Sequence, residues 1–222
     1  KCNETVKFRD LMSFAKKLEA DCMATGHYVK RQGSTNKALM FRAADKTKDQ
    51  SYFLFATTQE QLDFLRFPLG ALTKSETRDL AKKLDLNVHD KKDSQDICFI
   101  PNGDYKSFIK LDAKEGNVID RSGKIIGKHE GIHNFTIGQR RGMGIASDKP
   151  LYVVDILKDT NEIIVGDKEN LLGQSLILDE LNFIMPDIDI SVPTLKIKCS
   201  AKIRSLSNPC EGTLYKKGNI FS

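Results

Sequence analysis

The sequence predicts an α/β fold that is followed by a small α+β region and the beginning of a β-barrel. In the first hundred residues, helical patterns alternate with short apolar strands, which is typical of a parallel sheet covered by helices. Beyond residue 103 two hairpin patterns appear, and from residue 176 onward only strand patterns remain. We therefore expect three domains, at residues 1–103, 104–168 and 169–222.

The first domain combines helix and strand signals. Apolar side chains recur at helical spacing over 5–19, and the sequence TKSE at 73–76 is a capping box that starts a helix. The apolar run CMA at 22–24 predicts a buried strand whose carboxyl end carries Gly26 and His27. Helices are predicted at 5–19, 48–55, 58–65 and 73–84, and strands at 22–24, 38–43 and 86–88.

The rest of the chain is predicted to be mostly strand. A polar turn separates residues 117–120 from 124–126, and a second turn separates 151–157 from 162–165, so both pairs are predicted hairpins. Further strands are predicted at 176–178, 195–203 and 212–215.

Composition and charge narrow the class of protein. The chain has 222 residues, of which 40% are hydrophobic, enough for a substantial core. Its net charge of +5 permits a polyanionic partner without requiring one. No run of about 18 apolar residues is present, so we expect no membrane span. The first residue is Lys1 and the last follows a turn-like KKGN, so we expect an internal fragment of a longer protein.

The cysteines favour a reducing compartment. Their number is odd, their spacings are long and no C-x-x-C pair occurs, which argues against a secreted disulfide scaffold and against a zinc ribbon. We therefore expect a cytoplasmic protein in which a functional cysteine acts as a thiolate. The five are Cys2, Cys22, Cys98, Cys199 and Cys210.

The stretch KHEGIH at 128–133 contains the letters of a zinc-protease motif, H-E-x-x-H. That motif binds zinc only on a helix, where both histidines share one face. Here Gly131 lies between them, and the flanks alternate like strand or loop. On an extended chain His129 and His133 are about 13 Å apart, too far to share one zinc ion. We therefore predict no metal site.

Four other segments have both a functional and an ordinary interpretation. Gly26-His27 suits either a ligand approaching the end of a strand or a plain turn. The KDQ at 48–50 is most simply the polar first turn of a helix. Cys98, between isoleucine and phenylalanine, is most often a buried small hydrophobe. Arg140-Arg141, among glycines, suits a phosphate-contacting loop or an exposed basic turn.

Five segments matter together: CN at 2–3, ATGHY at 24–28, KDQSYFL at 48–54, DSQDICFI at 93–100 and TIGQRRG at 136–142. In order and approximate spacing they resemble the bacterial tRNA-specific 2-thiouridylase family. The resemblance implies an adenine-nucleotide alpha-hydrolase-like (Rossmann-like) domain, a small central domain and a C-terminal β-barrel. It also implies an enzyme that uses ATP, with Mg²⁺, to adenylate the 2-oxygen of the wobble uridine, and a cysteine persulfide to replace that oxygen with sulfur, releasing AMP and pyrophosphate.

The resemblance also implies roles for individual residues. Cys98 corresponds to the family's persulfide carrier and Cys2 to its other active-site cysteine, the nucleophile; the two can close a disulfide when the sulfur is released. Gly26 corresponds to an ATP contact. The positions that correspond to tRNA contacts are His27, Lys48, Asp49, Gln50, Arg204 and Ser205. The family usually has an aromatic residue where Ser205 stands.

Partners follow from the same resemblance. We expect tRNAs for Lys, Glu and Gln as substrates, and a cysteine desulfurase or a sulfur-relay protein as the donor. The family's Ser-Gly-Gly-x-Asp-Ser loop, which cradles pyrophosphate, does not occur in these 222 residues. The alternative hypothesis is a non-catalytic RNA-binding module, which the net charge, Arg140-Arg141 and the strand-rich end would suit.

Overall fold

The computed structural model describes residues 2–34, 36–89, 114–173, 175–185, 187–205 and 207–222. Their contacts divide the chain into two compact units, one made of Lys1–Lys92 with Ile177–Ser222 and the other of Asp93–Leu176. The predicted boundary at residue 103 lies outside the described residues, and the division into three domains stays a prediction. No described helix is long and apolar enough to cross a membrane.

The first unit begins with a helix of mixed geometry. Its backbone is π-helical over Cys2–Leu11 and continues as the α-helix α1, Met12–Lys17. Phe8 and Met12, four residues apart, are buried, whereas Leu11 and Leu18 are more than half exposed. The predicted helix is therefore present, but its buried stripe is narrower than the sequence pattern suggested.

Four short strands and two helices complete this α/β part. Strand β1 (Met23–Ala24) pairs in parallel with β4 (Leu65–Arg66), and β2 (Val29–Gln32) pairs antiparallel with β3 (Leu39–Arg42). Helices α2 (Gln59–Phe64) and α3 (Lys74–Lys83) both begin at a threonine capping box. The buried core consists of Phe8, Val29, Ala38, Leu54, Leu62, Leu65 and Phe67.

Three sequence predictions for this part were wrong. The strand predicted at 22–24 is present as β1 but is not buried, since Cys22 and Ala24 are exposed. The predicted helix over 48–55 is only a 3-10 turn, Ser51–Leu54, because Asp49 and Gln50 bind backbone groups outside the turn. The predicted strand at 86–88 is a turn. It follows helix α3, and the amide of Leu86 donates back to the carbonyl of Ala81.

The end of the chain belongs to the same unit. Strands β9 (Thr194–Ala201), β10 (Cys210–Lys217) and β11 (Ile220–Phe221) form an antiparallel sheet in the order β11-β10-β9. Leu178 forms a single bridge to Phe221, so the predicted strand at 176–178 is reduced to that bridge. Among the described residues this sheet is open rather than a closed barrel.

The second unit is a four-stranded sheet in the order β6-β5-β8-β7. Both predicted hairpins are confirmed: β5 (Gly116–Asp120) pairs with β6 (Ile125–His129), and β7 (Tyr152–Leu157) pairs with β8 (Glu162–Gly166). The parallel pair β5–β8 joins the hairpins. Inward side chains of these strands and Met143, from the segment before β7, form a second core of Val118, Met143, Val153, Ile163 and Val165.

Candidate functional site

Cys2 lies at the start of the first helix, where it is exposed and lines a pocket of about 250 Å³. The opposite wall is the segment Tyr52 to Thr57. The side-chain amide of Asn3 donates to the carbonyl of Phe53 at 3.3 Å, which joins the helix end that carries Cys2 to that wall. The pocket is lined by Cys2, Asn3, Glu4, Phe8, Tyr52, Phe53, Leu54, Phe55, Ala56 and Thr57.

The wall of this pocket is rich in aromatic surface. Phe53 is 52% exposed and Phe55 is 76% exposed, although both belong to a segment whose Leu54 is buried in the core. Exposed aromatic rings are the usual stacking platforms for single-stranded nucleic acid. The pocket therefore combines an accessible thiol with a surface suited to a nucleobase.

Gly26 follows strand β1 and is exposed. A side chain there would meet only Leu69, in ordinary contact at 3.7 Å. The packing of the protein itself therefore does not require a glycine, and the space above the backbone is open. Such a position, at the carboxyl end of a parallel strand, suits close approach by a ligand.

His27 is buried rather than on the surface. Its Nδ1 lies 2.8 Å from the hydroxyl of Thr25, and its ring meets the ring of Phe8 edge-on at 5.7 Å. Burial, together with the positive charge of Lys7, lowers the pKa of His27 from 6.5 to about 4. The ring is therefore neutral at pH 7 and suited to positioning its neighbours rather than to pairing with a phosphate. A tRNA contact by this residue stays a prediction.

The segment Lys48–Gln50 is attached to the backbone around His27. Gln50 accepts from the backbone N–H of Tyr28 through Oε1 at 2.9 Å. The backbone N–H of Gln50 donates in return to the carbonyl of Tyr28 at 3.0 Å. The carboxylate of Asp49 accepts from the amide of Ala43 and from the hydroxyl of Ser51. These bonds bring four predicted tRNA-binding positions, 27 and 48–50, into one neighbourhood, with Lys48 partly exposed.

Arg204 and Ser205 lie in the turn between β9 and β10, and Arg204 is exposed. The preceding residue, Ile203, accepts a hydrogen bond at its carbonyl from the hydroxyl of Tyr52 at 2.9 Å. Because Tyr52 lines the Cys2 pocket, this bond joins the predicted tRNA-binding turn to the pocket wall. No aromatic residue occupies position 205, as the sequence indicated.

Cys98 and its segment at 93–100 lie outside the described residues, so the pairing of Cys2 with Cys98 stays a prediction. The loop at 136–144 belongs to the second unit. Gln139 accepts from the amide of Thr136 and donates to the carbonyl of Arg141, while Arg140 and Arg141 are exposed. Gly138, with a φ of 86°, allows the left-handed bend that this loop requires.

The histidines of KHEGIH do not share a helix. His129 ends strand β6 and is buried, with Nδ1 accepting from the amide of Gly131 and Nε2 3.1 Å from the carbonyl of Asn161. His133 is exposed in a 3-10 turn, Ile132–Asn134. Both nitrogens of His129 are thus engaged with backbone, which leaves neither for a metal. Within the part of the chain that is described, no cluster of three potential metal ligands occurs.

A second cavity of about 300 Å³ lies at the carboxyl ends of β1 and β4. It is lined by Ala24, Arg31, Arg66, Phe67 and Pro68. Arg31 is fixed there by bonds to the carbonyls of Leu62 and Gly33 and by proximity to Asp63. The cavity is therefore polar and basic, at the edge where sheets of this kind bind ligands.

Sequence reasoning missed Tyr52, Thr57 and Asn182. Asn182 donates to the carbonyls of Phe55 and Thr57, and so joins the C-terminal segment to the pocket wall. The only signal available was the aromatic run SYFLF at 51–55, which has no defined function by itself. These residues matter through contacts more than 120 positions apart, which no local pattern reveals.

Comparison with known proteins agrees with the predicted fold class. Residues 1–102 match a family model described as a tRNA methyl transferase HUP domain, and residues 106–167 match a tRNA methyl transferase PRC-barrel domain. The first match agrees with the predicted Rossmann-like, adenine-nucleotide alpha-hydrolase-like domain. The order of the two domains also agrees with the fold class that the sequence predicted.

Curated relatives cover nearly the whole chain. It is 46% identical over 223 residues to the tRNA-specific 2-thiouridylase MnmA of Hyphomonas neptunium, covering 98% of this chain and 57% of the relative. It is 47% identical over 225 residues to that of Neorickettsia sennetsu, covering 100% and 60%. It is 54% identical over 190 residues to that of Dinoroseobacter shibae, covering 83% and 50%. The chain thus spans half to three fifths of the length of these relatives, and it belongs to the tRNA-specific 2-thiouridylase family.

Proposed function

We propose that the protein acts as a tRNA-uridine 2-sulfurtransferase and that sulfur transfer takes place at the Cys2 pocket. The observation that carries this proposal is the exposed thiol of Cys2 in a pocket with aromatic walls. A hydrogen bond from Tyr52 connects that wall to the turn of Arg204, a predicted tRNA contact. A nucleobase flipped out of the anticodon loop could stack on Phe53 or Phe55 and present its 2-position to the thiol.

The chemistry requires two thiols. ATP, as co-substrate, would transfer its adenylyl group to the 2-oxygen of uracil with release of pyrophosphate, which turns that oxygen into part of a leaving group. The terminal sulfur of a persulfide on Cys98 then attacks the 2-carbon, and AMP departs with the oxygen. The thiolate of Cys2 attacks Sγ of Cys98, breaks its bond to the transferred sulfur and leaves a Cys2–Cys98 disulfide. A cellular thiol reductant restores both cysteines.

The residues present fit an adenine nucleotide in part. The open backbone at Gly26 and the basic cavity of Arg31 and Arg66 lie at the strand ends where nucleotides bind in such sheets. The guanidinium of Arg66 suits phosphate oxygens because such a group offers several donors in one plane. The donors of Arg31 already bind the carbonyls of Leu62, Gly33 and Asp63, so this residue contributes positive charge rather than direct hydrogen bonds. A role for Mg²⁺ stays a prediction, as do the tRNAs for Lys, Glu and Gln and a desulfurase or relay protein as sulfur donor. A cytoplasmic location would suit a thiolate enzyme that meets tRNA.

The test is replacement of Cys2 by serine in the full-length protein, with 2-thiouridine in tRNA measured by mass spectrometry. We expect Cys2→Ser to lower the rate at least about a hundredfold, because a hydroxyl does not replace a thiolate nucleophile. Cys22→Ser is the matched control, since Cys22 is also exposed but does not line the pocket. Equal activity of both variants would contradict the proposal.

The alternative, a non-catalytic RNA-binding module, makes a different prediction. It expects salt-dependent tRNA binding and no 2-thiouridine formation by the wild-type protein with ATP and a sulfur donor. Formation of 2-thiouridine that depends on Cys2 would exclude it.

A further inference from the structure

We propose that Tyr52 and Asn182 are positioning residues that hold the wall of the Cys2 pocket to the C-terminal segment, and so fix Arg204 relative to Cys2 on one bound tRNA. This inference rests on the proposed function. It concerns residues to which no role is assigned by the resemblance to the family. All the groups involved lie in the first compact unit.

The first connection is the side chain of Tyr52. Its ring lines the Cys2 pocket and meets Phe53 edge-on, with 5.5 Å between the ring centroids. Its hydroxyl donates to the carbonyl of Ile203 at 2.9 Å, across 151 positions of the sequence. One side chain thus contacts both the pocket and the residue before Arg204.

The second connection is the amide of Asn182. Its Nδ2 donates to the carbonyl of Phe55 at 2.9 Å and to the carbonyl of Thr57 at 2.8 Å. Both acceptors lie in the pocket wall, so the side-chain amide of Asn182 holds the backbone of that wall at two points. Nearby Ile184 packs against the core of the same unit, which anchors the segment that carries Asn182.

The turn that carries Arg204 is closed on itself. The amide and hydroxyl of Ser207 donate to the carbonyl of Arg204 at 3.1 and 2.9 Å, and the amide of Arg204 lies 3.2 Å from the same hydroxyl. Ile203 is 63% exposed, so burial contributes little to holding the turn in place. Loss of the Tyr52 hydroxyl should therefore let the turn move as a body without unfolding it.

The mechanistic consequence is a link between binding and chemistry. A tRNA that places its target base against the pocket wall and its backbone on Arg204 would contact two surfaces that Tyr52 and Asn182 hold together. Because the two surfaces are already held at a fixed spacing, less conformational entropy is lost when the tRNA binds. We therefore expect these two residues to affect the KM for tRNA more than kcat.

The experiment compares Tyr52→Phe with Tyr215→Phe in the full-length protein. Each removes one hydroxyl; that of Tyr52 joins the pocket to Ile203, whereas Tyr215 lies on β10, away from the pocket lining. We expect Tyr52→Phe to raise the KM for tRNA about three- to tenfold, the value of one hydrogen bond, with kcat changed less than about twofold. Tyr215→Phe should leave both unchanged.

A double-mutant cycle with Arg204→Ala separates positioning from general weakening. If Tyr52 acts through the turn, Arg204→Ala should raise KM by a smaller factor in the Tyr52→Phe background than in the wild type. Additive effects, or equal effects of the two tyrosine variants, would overturn the inference. Asn182→Asp, which removes both donors, gives a second and independent variant with the same expected pattern.

The inference can fail separately from the proposed function. If the wild-type protein forms no 2-thiouridine, the sulfurtransferase proposal fails, and the same cycle is then measured on the Kd for unmodified tRNA. Coupling between Tyr52 and Arg204 in that Kd would support the positioning role, and additivity would overturn it. If 2-thiouridine forms normally but the cycle is additive, only the positioning role fails.

Discussion

The two compact units differ in how far apart in sequence their contacts are. In the second unit, both hairpins pair neighbouring strands, and Val118, Val153 and Ile163 fill a core between them. In the first unit, the Cys2 pocket depends on bonds that span up to 151 residues, such as that from Tyr52 to Ile203. The comparison indicates that neighbouring segments largely build the second unit, whereas distant segments assemble the candidate site.

The separate cores give the largest expected effect. Leu62→Ala in the first unit and Ile163→Ala in the second each truncate a side chain with no exposed surface. Each should lower the unfolding free energy of its unit by about 2–5 kcal/mol, from lost burial and the cavity left behind. Hydrogen exchange of the backbone amides measures the stability of each unit separately.

Leu80→Ala provides the control for those variants. Leu80 is 45% exposed on α3, and its truncation should change stability by less than about 0.5 kcal/mol. If Leu62→Ala reduced protection in β5–β8 as much as in α2, the two cores would not be independent and the comparison would be broken.

Asn161 tests whether the second unit is as local as its hairpins suggest. In the turn between β7 and β8 it has a φ of 55°, and its amide donates to the carbonyls of Lys114 and Glu115. Its own carbonyl contacts His129. Asn161→Ala should cost about 1–3 kcal/mol, since it loses the amide bonds and adds backbone strain. Asn161→Gly relieves the strain, so urea unfolding should show a smaller loss; equal losses would exclude a strain contribution.

His27 gives the first unit a pH dependence. Burial lowers its folded-state pKa to about 4, below the ordinary 6.5, so the unfolded chain binds the proton more readily. Its contribution to stability is therefore complete above about pH 6.5 and is lost as the pH falls towards 4. Between those values the slope should approach about 1.4 kcal/mol per pH unit.

Urea unfolding of His27→Gln at several pH values checks this dependence. The difference in unfolding free energy between wild type and variant should shrink as the pH falls through that window, because the variant has no imidazole to protonate. His133→Gln, at an exposed position, should retain the wild-type pH dependence. A pH-independent difference for His27→Gln would contradict the neutral buried ring.

Much of the fold could be predicted because its signals are local. Three such signals are the capping box of Thr73 and Glu76, the apolar spacing of Phe8 and Met12, and the two hairpins of the second unit. In each, the partners are at most fourteen residues apart. The strand at 29–32 was missed, since VKRQ has no apolar alternation and its pairing with β3 is not visible in its own letters. The helix expected at 48–55 failed because Asp49 and Gln50 bond to other segments.

The candidate site was predictable only in part. Cys2, Gly26 and the predicted tRNA-binding positions were proposed through family resemblance, since a lone cysteine or glycine carries no local signal of its role. The burial of His27 was not foreseen, because it depends on Phe8 arriving from a helix nineteen residues earlier. The contacts of Tyr52 and Asn182 were not foreseen either, because both side chains bind backbone carbonyls more than 120 positions away.

The capping box of α3 gives the smallest expected effect and sharpens the comparison within the first unit. The hydroxyl of Thr73 accepts from the amide of Glu76, whose carboxylate accepts in turn from the amide and hydroxyl of Thr73. None of the ten residues of α3 is buried, so this helix depends on its cap more than on the core.

Thr73→Ala should lower the stability of α3 by about 1 kcal/mol, seen mainly as faster hydrogen exchange within that helix. Thr77→Ala, which removes only a bond back to the carbonyl of Thr73, should change exchange much less. If Thr73→Ala instead accelerated exchange in α2 as strongly, α3 would be coupled to the core, and local contacts would matter to the pocket more than the comparison indicates.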